Sequence, residues 1–267
     1  MLILSLAALR EAAAQRPDTS AQETFFVPTD AALLGAFFLG SAAISVFDPR
    51  IAQYFQQPSK QNDHAMRNVA NVFTHVQETT LTLAGLATYG IARLAHSRNV
   101  ADIAFHTTES IAAASVTCQV IRGPLGRARP NETGFTEQYE FHWFNGFTNF
   151  KYRSYPSIHT SSSFAVASSL VAETYERSPR DVWIVAPIAY VLASGPGYAR
   201  LYLGEHWASD VFMGAFFGTF YGYRIVTYSH AHPNNKMDRF FLGHRQRSGI
   251  SMTPDRSGLT MSYRAEF

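Results

Sequence analysis

The sequence predicts an all-α fold: a bundle of about six core helices, with a small hairpin or tail at the C-terminal end. Three observations carry this expectation. Six mainly apolar runs of helical length punctuate the chain, near residues 31–47, 79–95, 104–121, 158–174, 182–195 and 208–228. Hydrophobic residues make up 46% of the chain while charged ones make up only 16%, below the usual quarter, so there is apolar material for every helix. The last run, VFMGAFFGTFYGYRIV, spaces small residues for close helix packing.

Taken in order, residues 1–24 open with MLILSLAAL and turn polar through AAAQRPDTSAQ. They read as a leader or a remnant export signal, although Arg10 and Glu11 interrupt the pattern and no basic segment precedes it. Residues 25–228 form one helical domain without an internal linker, repeat or low-complexity tract. Its first run, AALLGAFFLGSAAISVF, is free of charge between Asp30 and Asp48. A bilayer span takes roughly 17–25 apolar residues. Several of the six runs fall short of that, two contain Glu109 and His159, and the mean hydropathy is only −0.08. The bundle is therefore expected either to span a membrane or to be soluble with buried helices. Residues 229–267 form a tail in which short alternating runs flank PDRSG, the pattern of a small hairpin.

A net charge of +2 argues against a dedicated nucleic-acid binder, and none is expected as a partner. The single cysteine, Cys118, excludes an intrachain disulfide framework, and its apolar surroundings predict a buried, inert thiol.

Three clusters carry chemistry. In IRGPLGRARP, Arg122 and Arg129 are separated by six residues, Pro130 follows, and Arg127 adds a third charge. The glycines and prolines predict a loop end with converging guanidiniums, against the plainer reading of a solvated basic loop. In SYPSIHTSSSF, Pro156 is placed to start a helix near Ser157 and His159. A helix N-terminus offers backbone N–H groups to an anion, the alternative being an ordinary capped start with a surface histidine. In YARLYLGEHWASD, the spacing R-x5-H-x3-D sets His206 and Asp210 four apart, on one helical face. Asp210 is expected to accept a hydrogen bond from one ring nitrogen of His206 and leave the other free to attack. Arg200 adds a planar, permanently charged fork for an oxyanion. The alternative is a purely structural His–Asp pair.

The other histidines read as structural. His64, His75, His96 and His106 are scattered, with no partner at ligand spacing; His230 and His232, in SHAHPNN, could chelate a metal but read as a polar helix exit. His142 and Trp143, in YEFHWFNGF, line either a site mouth or a buried corner. Neither an H-E-x-x-H helix nor a cysteine cluster is present, so no metal is expected.

The order R-x6-R-P, then P-S-x-H, then R-x5-H-x3-D resembles the type 2 phosphatidic acid phosphatase and vanadium haloperoxidase superfamily, across roughly residues 70–228. Arg122 stands where that family usually has lysine, Ile158 where it has glycine, and Ala199 where a serine precedes the arginine. Arg129, Pro130, Pro156, Ser157, His159, Arg200, His206 and Asp210 match. The resemblance implies a phosphoric monoester hydrolase acting on phosphate monoesters or diphosphates, above all lipid phosphates, through a phosphohistidine on His206. Asp210 would fix the ring and His159 would serve as acid and then base. Arg122, Arg129, Arg200, Ser157 and the backbone of Ile158 would hold the phosphoryl oxygens. No cofactor is implied; vanadate enters only if the chain is instead a haloperoxidase. A lipid phosphotransferase and a non-catalytic membrane protein are compatible with the same motifs.

Topology completes the expectation. If all six runs cross a bilayer, the three motifs fall on one side. Arg224, Lys236, Arg239, Arg245 and Arg247 lie on the other, with Asp238 the only nearby acid. Such an excess marks a cytoplasmic face. The expected setting is a bacterial-type inner membrane with the site facing the periplasm, a soluble periplasmic protein being the alternative. The oligomeric state is left open.

Overall fold

The structure, a computed structural model, describes residues 24–233, 235–243, 249–255 and 258–264. Apart from Thr24, the leader reading falls outside the described residues, as do Arg245 and Arg247.

The six apolar runs are six long helices: α1 (Pro28–Ser45), α5 (Glu78–Leu94), α6 (Arg98–Leu125), α7 (Ile158–Arg177), α8 (Val182–Tyr202) and α9 (Ala208–Ala231). Between the first two, three short helices fill a stretch without a long apolar run: α2 (Asp48–Gln56), α3 (Pro58–Gln61) and α4 (His64–Thr74). Local capping explains part of this. Asp63 Oδ1 accepts the N–H groups of Ala65 and Met66 at 2.8 and 3.1 Å, opening α4. A short α10 (Lys236–Phe241) follows α9, and the tail forms the expected hairpin, β1 (Gly249–Asp255) antiparallel to β2 (Gly258–Arg264).

Two boundaries correct the sequence reading. Helix α6 continues through Gly123 and Pro124, so Arg122 sits in its last turn and not on a loop. A proline so close to the end removes one intrahelical donor, and the helix stops directly after it. It ends where Gly126 adopts φ +61° and donates to the Arg122 carbonyl at 3.1 Å. A side chain at Gly126 would strike the carbonyl of His142. Pro156 lies outside α7, whose N-cap is Ser157. The Ser157 hydroxyl is engaged by the backbone N–H and the hydroxyl of Thr160, at 3.5 and 3.1 Å.

Small residues set the core. Gly214, Gly218 and Gly222 form a stripe on α9 that lies against α7; a Cβ on them would come within 2.4, 2.2 and 2.7 Å of the carbonyl oxygens of Ser157, Ser161 and Ala165. The buried faces are rich in alanine and serine, including Ser161, Ser162, Ser168 and Ser169. Ile158, Met213, Phe216 and Phe217 pack inside among them, while many other large apolar side chains point outward. On α8, Trp183, Ile184, Ile188, Val191 and Leu192 are all more than half exposed. On α1 the buried residues are Ser41 and Ser45, while Leu33, Phe38 and Leu39 face out. Asp30 on α1 takes both short contacts of Arg224 from α9, at 2.6 and 2.7 Å. By length and composition, α1 and α8 are each sufficient to cross a bilayer.

Candidate active site

Successive antiparallel helices bring the three motifs to one end of the bundle. The C-terminal ends of α6 and α8 carry Arg122 and Arg200; the N-terminal ends of α7 and α9 carry His159 and Asp210. Arg129 follows α6, and His206 sits in the turn between α8 and α9.

All three predicted guanidiniums point inward: Arg122, Arg129 and Arg200 are 8%, 5% and 6% exposed. Their charges all act on the His159 ring, whose centroid lies 6.4 Å from that of His206. Arg122 is oriented by Gln119, whose side-chain oxygen accepts from its Nε at 2.8 Å. Arg129 lies over the Phe150 ring, 4.0 Å from its centre. Arg200 donates to the carbonyl of Thr74 at 3.2 Å and to its hydroxyl. The Nε atoms of Arg129 and Arg200 are buried without a partner. Burial lowers the pKa of Arg129 from its ordinary value, and the neighbouring Arg200 adds to this against the pull of Glu205.

His206 is buried, and its Nδ1 is 2.6 Å from the carbonyl oxygen of Ser154. A carbonyl only accepts, so Nδ1 carries the proton and Nε2 carries the lone pair. Nε2 has no protein partner. Burial depresses the pKa of this imidazole. Here the sequence reading needs correction: Asp210 does not take the ring proton. Its Oδ2 lies 3.6 Å from Nδ1, too long for a hydrogen bond. Asp210 acts one step removed, accepting the Ser154 hydroxyl at 2.5 Å and the Trp207 N–H at 2.8 Å. Ser154 is thus the residue that links base and carboxylate, and sequence spacing gave no sign of it.

Arg127 does not join the cage. It is buried between Asp210 and Asp48, donating to them at 2.6 and 2.9 Å. Burial alone would weaken its hold on a proton, but the two carboxylates outweigh that and raise its pKa. Glu205 is the second unforeseen residue. Its Oε2 accepts from Arg200 at 2.5 Å and from Arg129 at 3.3 Å, so an internal carboxylate lies where the two forks meet. Beside the site, Trp143, Phe144, Phe147 and Phe150 are exposed, which favours the site-mouth reading of that loop over a buried corner. His142 pairs with Glu140 at 2.6 Å and stacks on Tyr152.

A helical bundle with three buried guanidiniums and two imidazoles at one end is chemically fitted to a tetrahedral oxyanion, with one ring nitrogen free for attack. Comparison with known proteins agrees: residues 104–233 match the model of the PAP2 superfamily. Over 69 residues it is 42% identical to a lipid A 1-phosphatase of Porphyromonas gingivalis, a match that covers 26% of this chain and 15% of that protein. Its fold is similar to that of a transmembrane PAP2-type phosphatidylglycerolphosphate phosphatase from Bacillus subtilis, with a TM-score of 0.52 and 17% identity over 76% of this chain and 98% of that one.

Proposed function

We propose that the protein is a membrane phosphatase that hydrolyses lipid phosphate monoesters or diphosphates through a phosphohistidine on His206. The observation that carries this reading is the lone pair of His206 Nε2, buried and unpartnered beside three inward guanidiniums. In the first step Nε2 attacks phosphorus, the P–O bond to the lipid breaks, and His159, protonated once the phosphate dianion offsets the guanidiniums around it, gives its proton to the leaving oxygen. Water then attacks phosphorus, His159 takes its proton, and the P–N bond breaks. Arg122, Arg129 and Arg200 hold the phosphoryl oxygens, and Arg200 and Arg129 exchange the Glu205 carboxylate for the substrate. Ser157 serves as the cap that fixes the α7 N-terminus, with the backbone of Ile158 facing the anion.

The membrane setting is supported by the many large apolar side chains that face outward from α1 and α8 while alanine and serine line much of the interior, and by the likeness in fold to a phosphatase described as transmembrane. Small interfacial residues are how helices approach when lipid, not water, surrounds them. The exposed aromatic loop lies where an acyl tail would enter. No metal or other cofactor is part of this reading.

The test is His206→Ala, assayed for phosphate release from short-chain lipid phosphates and diphosphates in detergent. Release should fall at least 10³-fold, roughly the scale of losing a nucleophile that acts as part of a unit. Turnover equal to the parent would remove the assignment.

A further inference from the structure

A second cluster of titratable side chains sits at the far end of the bundle. Arg122 and His106 share α6, and His159 and Glu173 share α7; at about 1.5 Å per residue each pair is roughly 20–25 Å apart. There, His106 from α6, Glu173 from α7 and His230 from α9 converge. His106 Nδ1 is 2.5 Å from Glu173 Oε1, and His230 Nε2 is 2.8 Å from Glu173 Oε2. The ligand atoms of all three lie within 4.8 Å of one another. The sequence reading, which found no partner for His106 and a polar helix exit at His230, is corrected by this convergence.

Two further features separate the cluster from a chance meeting of polar groups. The first is the reverse side of His106. Its Nε2 is buried without a hydrogen bond, and Asp238 Oδ1 faces it at 3.4 Å. A carboxylate behind the distal nitrogen is the usual support of a metal-bound imidazole. Asp238 is itself buried and met by the Ser229 hydroxyl at 3.4 Å. The second is access. A cavity of about 230 Å³, lined by Glu173, Thr174, Arg177 and Asp181 among others, opens beside the carboxylate.

We propose that His106 Nδ1, Glu173 and His230 Nε2 bind one zinc-type divalent cation, with water from the cavity as the fourth ligand. Two imidazoles and a carboxylate suit such an ion. The carboxylates of Glu173 and Asp238 set two negative charges against its two positive ones, leaving the Arg177 guanidinium as one positive charge at the edge of the site. Arg177, paired with Glu173 Oε2, steadies the carboxylate from outside. A tetrahedral ion with bonds of about 2.0–2.1 Å spaces its ligand atoms roughly 3.3 Å apart. The present contacts therefore widen as the ion replaces the shared protons. Bound there, it ties α6, α7 and α9 together and takes no part in chemistry at the cage.

The experiment uses the full chain, purified in detergent without chelator and with its affinity tag removed. Metal content is measured, the protein is stripped with EDTA, and thermal unfolding is followed with added Zn²⁺ or Mg²⁺. The expected results are close to one zinc per chain and a midpoint raised by about 5–10 °C at a hundredfold excess of Zn²⁺ over its dissociation constant. Mg²⁺ should leave the midpoint unmoved, and His230→Ala and Glu173→Gln should lose both the zinc and the shift. Should either variant fail to fold, Co²⁺ added to the stripped parent protein decides the matter through the visible absorption of a tetrahedral site. A parent protein without zinc, without a Zn²⁺ shift and without that absorption overturns the proposal. So does a shift that persists unchanged in a His106→Ala, His230→Ala double variant.

Discussion

At the residue scale, the tautomer of His206 has a kinetic consequence. The Ser154 carbonyl fixes the proton on Nδ1, and burial disfavours a second proton on Nε2. The neutral, nucleophilic ring should therefore persist below the ordinary imidazole value of about 6.5. Single-turnover phosphoenzyme formation should hold its rate as pH falls through that value and decline only at lower pH; a half-maximal rate near 6.5 or above would contradict this. Glu205 makes a separate prediction. Its carboxylate competes with any anion for Arg129 and Arg200, so Glu205→Gln should tighten inhibition by phosphate or orthovanadate by about tenfold, equivalent to roughly 1.4 kcal/mol. An unchanged inhibition constant would show that Glu205 does not hold the forks in solution. The charged cage residues were legible from the sequence because their chemistry is unusual and their spacing fixed. Ser154, Glu205, Thr74 and Asp48 were not, since their parts depend on distances that only folding creates.

At the scale of elements, apolar runs marked all six long helices, with boundaries displaced where local chemistry overrode hydropathy. Helix α6 begins before its apolar run, at Arg98, and continues past it to Leu125. The prediction of a loop at Arg122 failed because Gly123 and Pro124, breakers in a helix interior, are tolerated in a final turn. The short helices α2 to α4 were unreadable by periodicity: α4 is opened by the Asp63 cap, α2 and α4 pack on α8, and α3 bridges the two. The closest seam in the bundle is α7 against α9. A Cβ at Gly218 would meet backbone, the Ser161 oxygen at 2.2 Å, which has no rotamer to swing away. Gly218→Val should cost about 1–3 kcal/mol or more through overpacking. Thermal unfolding in detergent measures it, and a midpoint equal to the parent would mean that the seam is looser than drawn.

At the scale of the whole molecule, composition alone could not separate a membrane bundle from a soluble one, because the serines and charged residues buried inside lower the mean hydropathy while many large apolar side chains face out. Sidedness can be read with thiol chemistry. Cys118 is fully buried in α6, out of reach of reagents, so it should stay silent toward maleimides. Trp143 and Lys236 are exposed at opposite ends. With the cage facing the periplasm, an impermeant maleimide should label Trp143→Cys on spheroplasts and Lys236→Cys only after permeabilisation; the reverse pattern would invert the orientation. The ion pair of Arg127 with Asp48 reaches further still. Asp48 and Thr74 precede residue 104, where the family match begins, yet one anchors the arginine behind Asp210 and the other clasps Arg200. A fragment excised at that boundary would leave one buried cation with a single carboxylate in place of two and free another from its threonine clasp, so it should unfold at a lower temperature than one that starts upstream of α2.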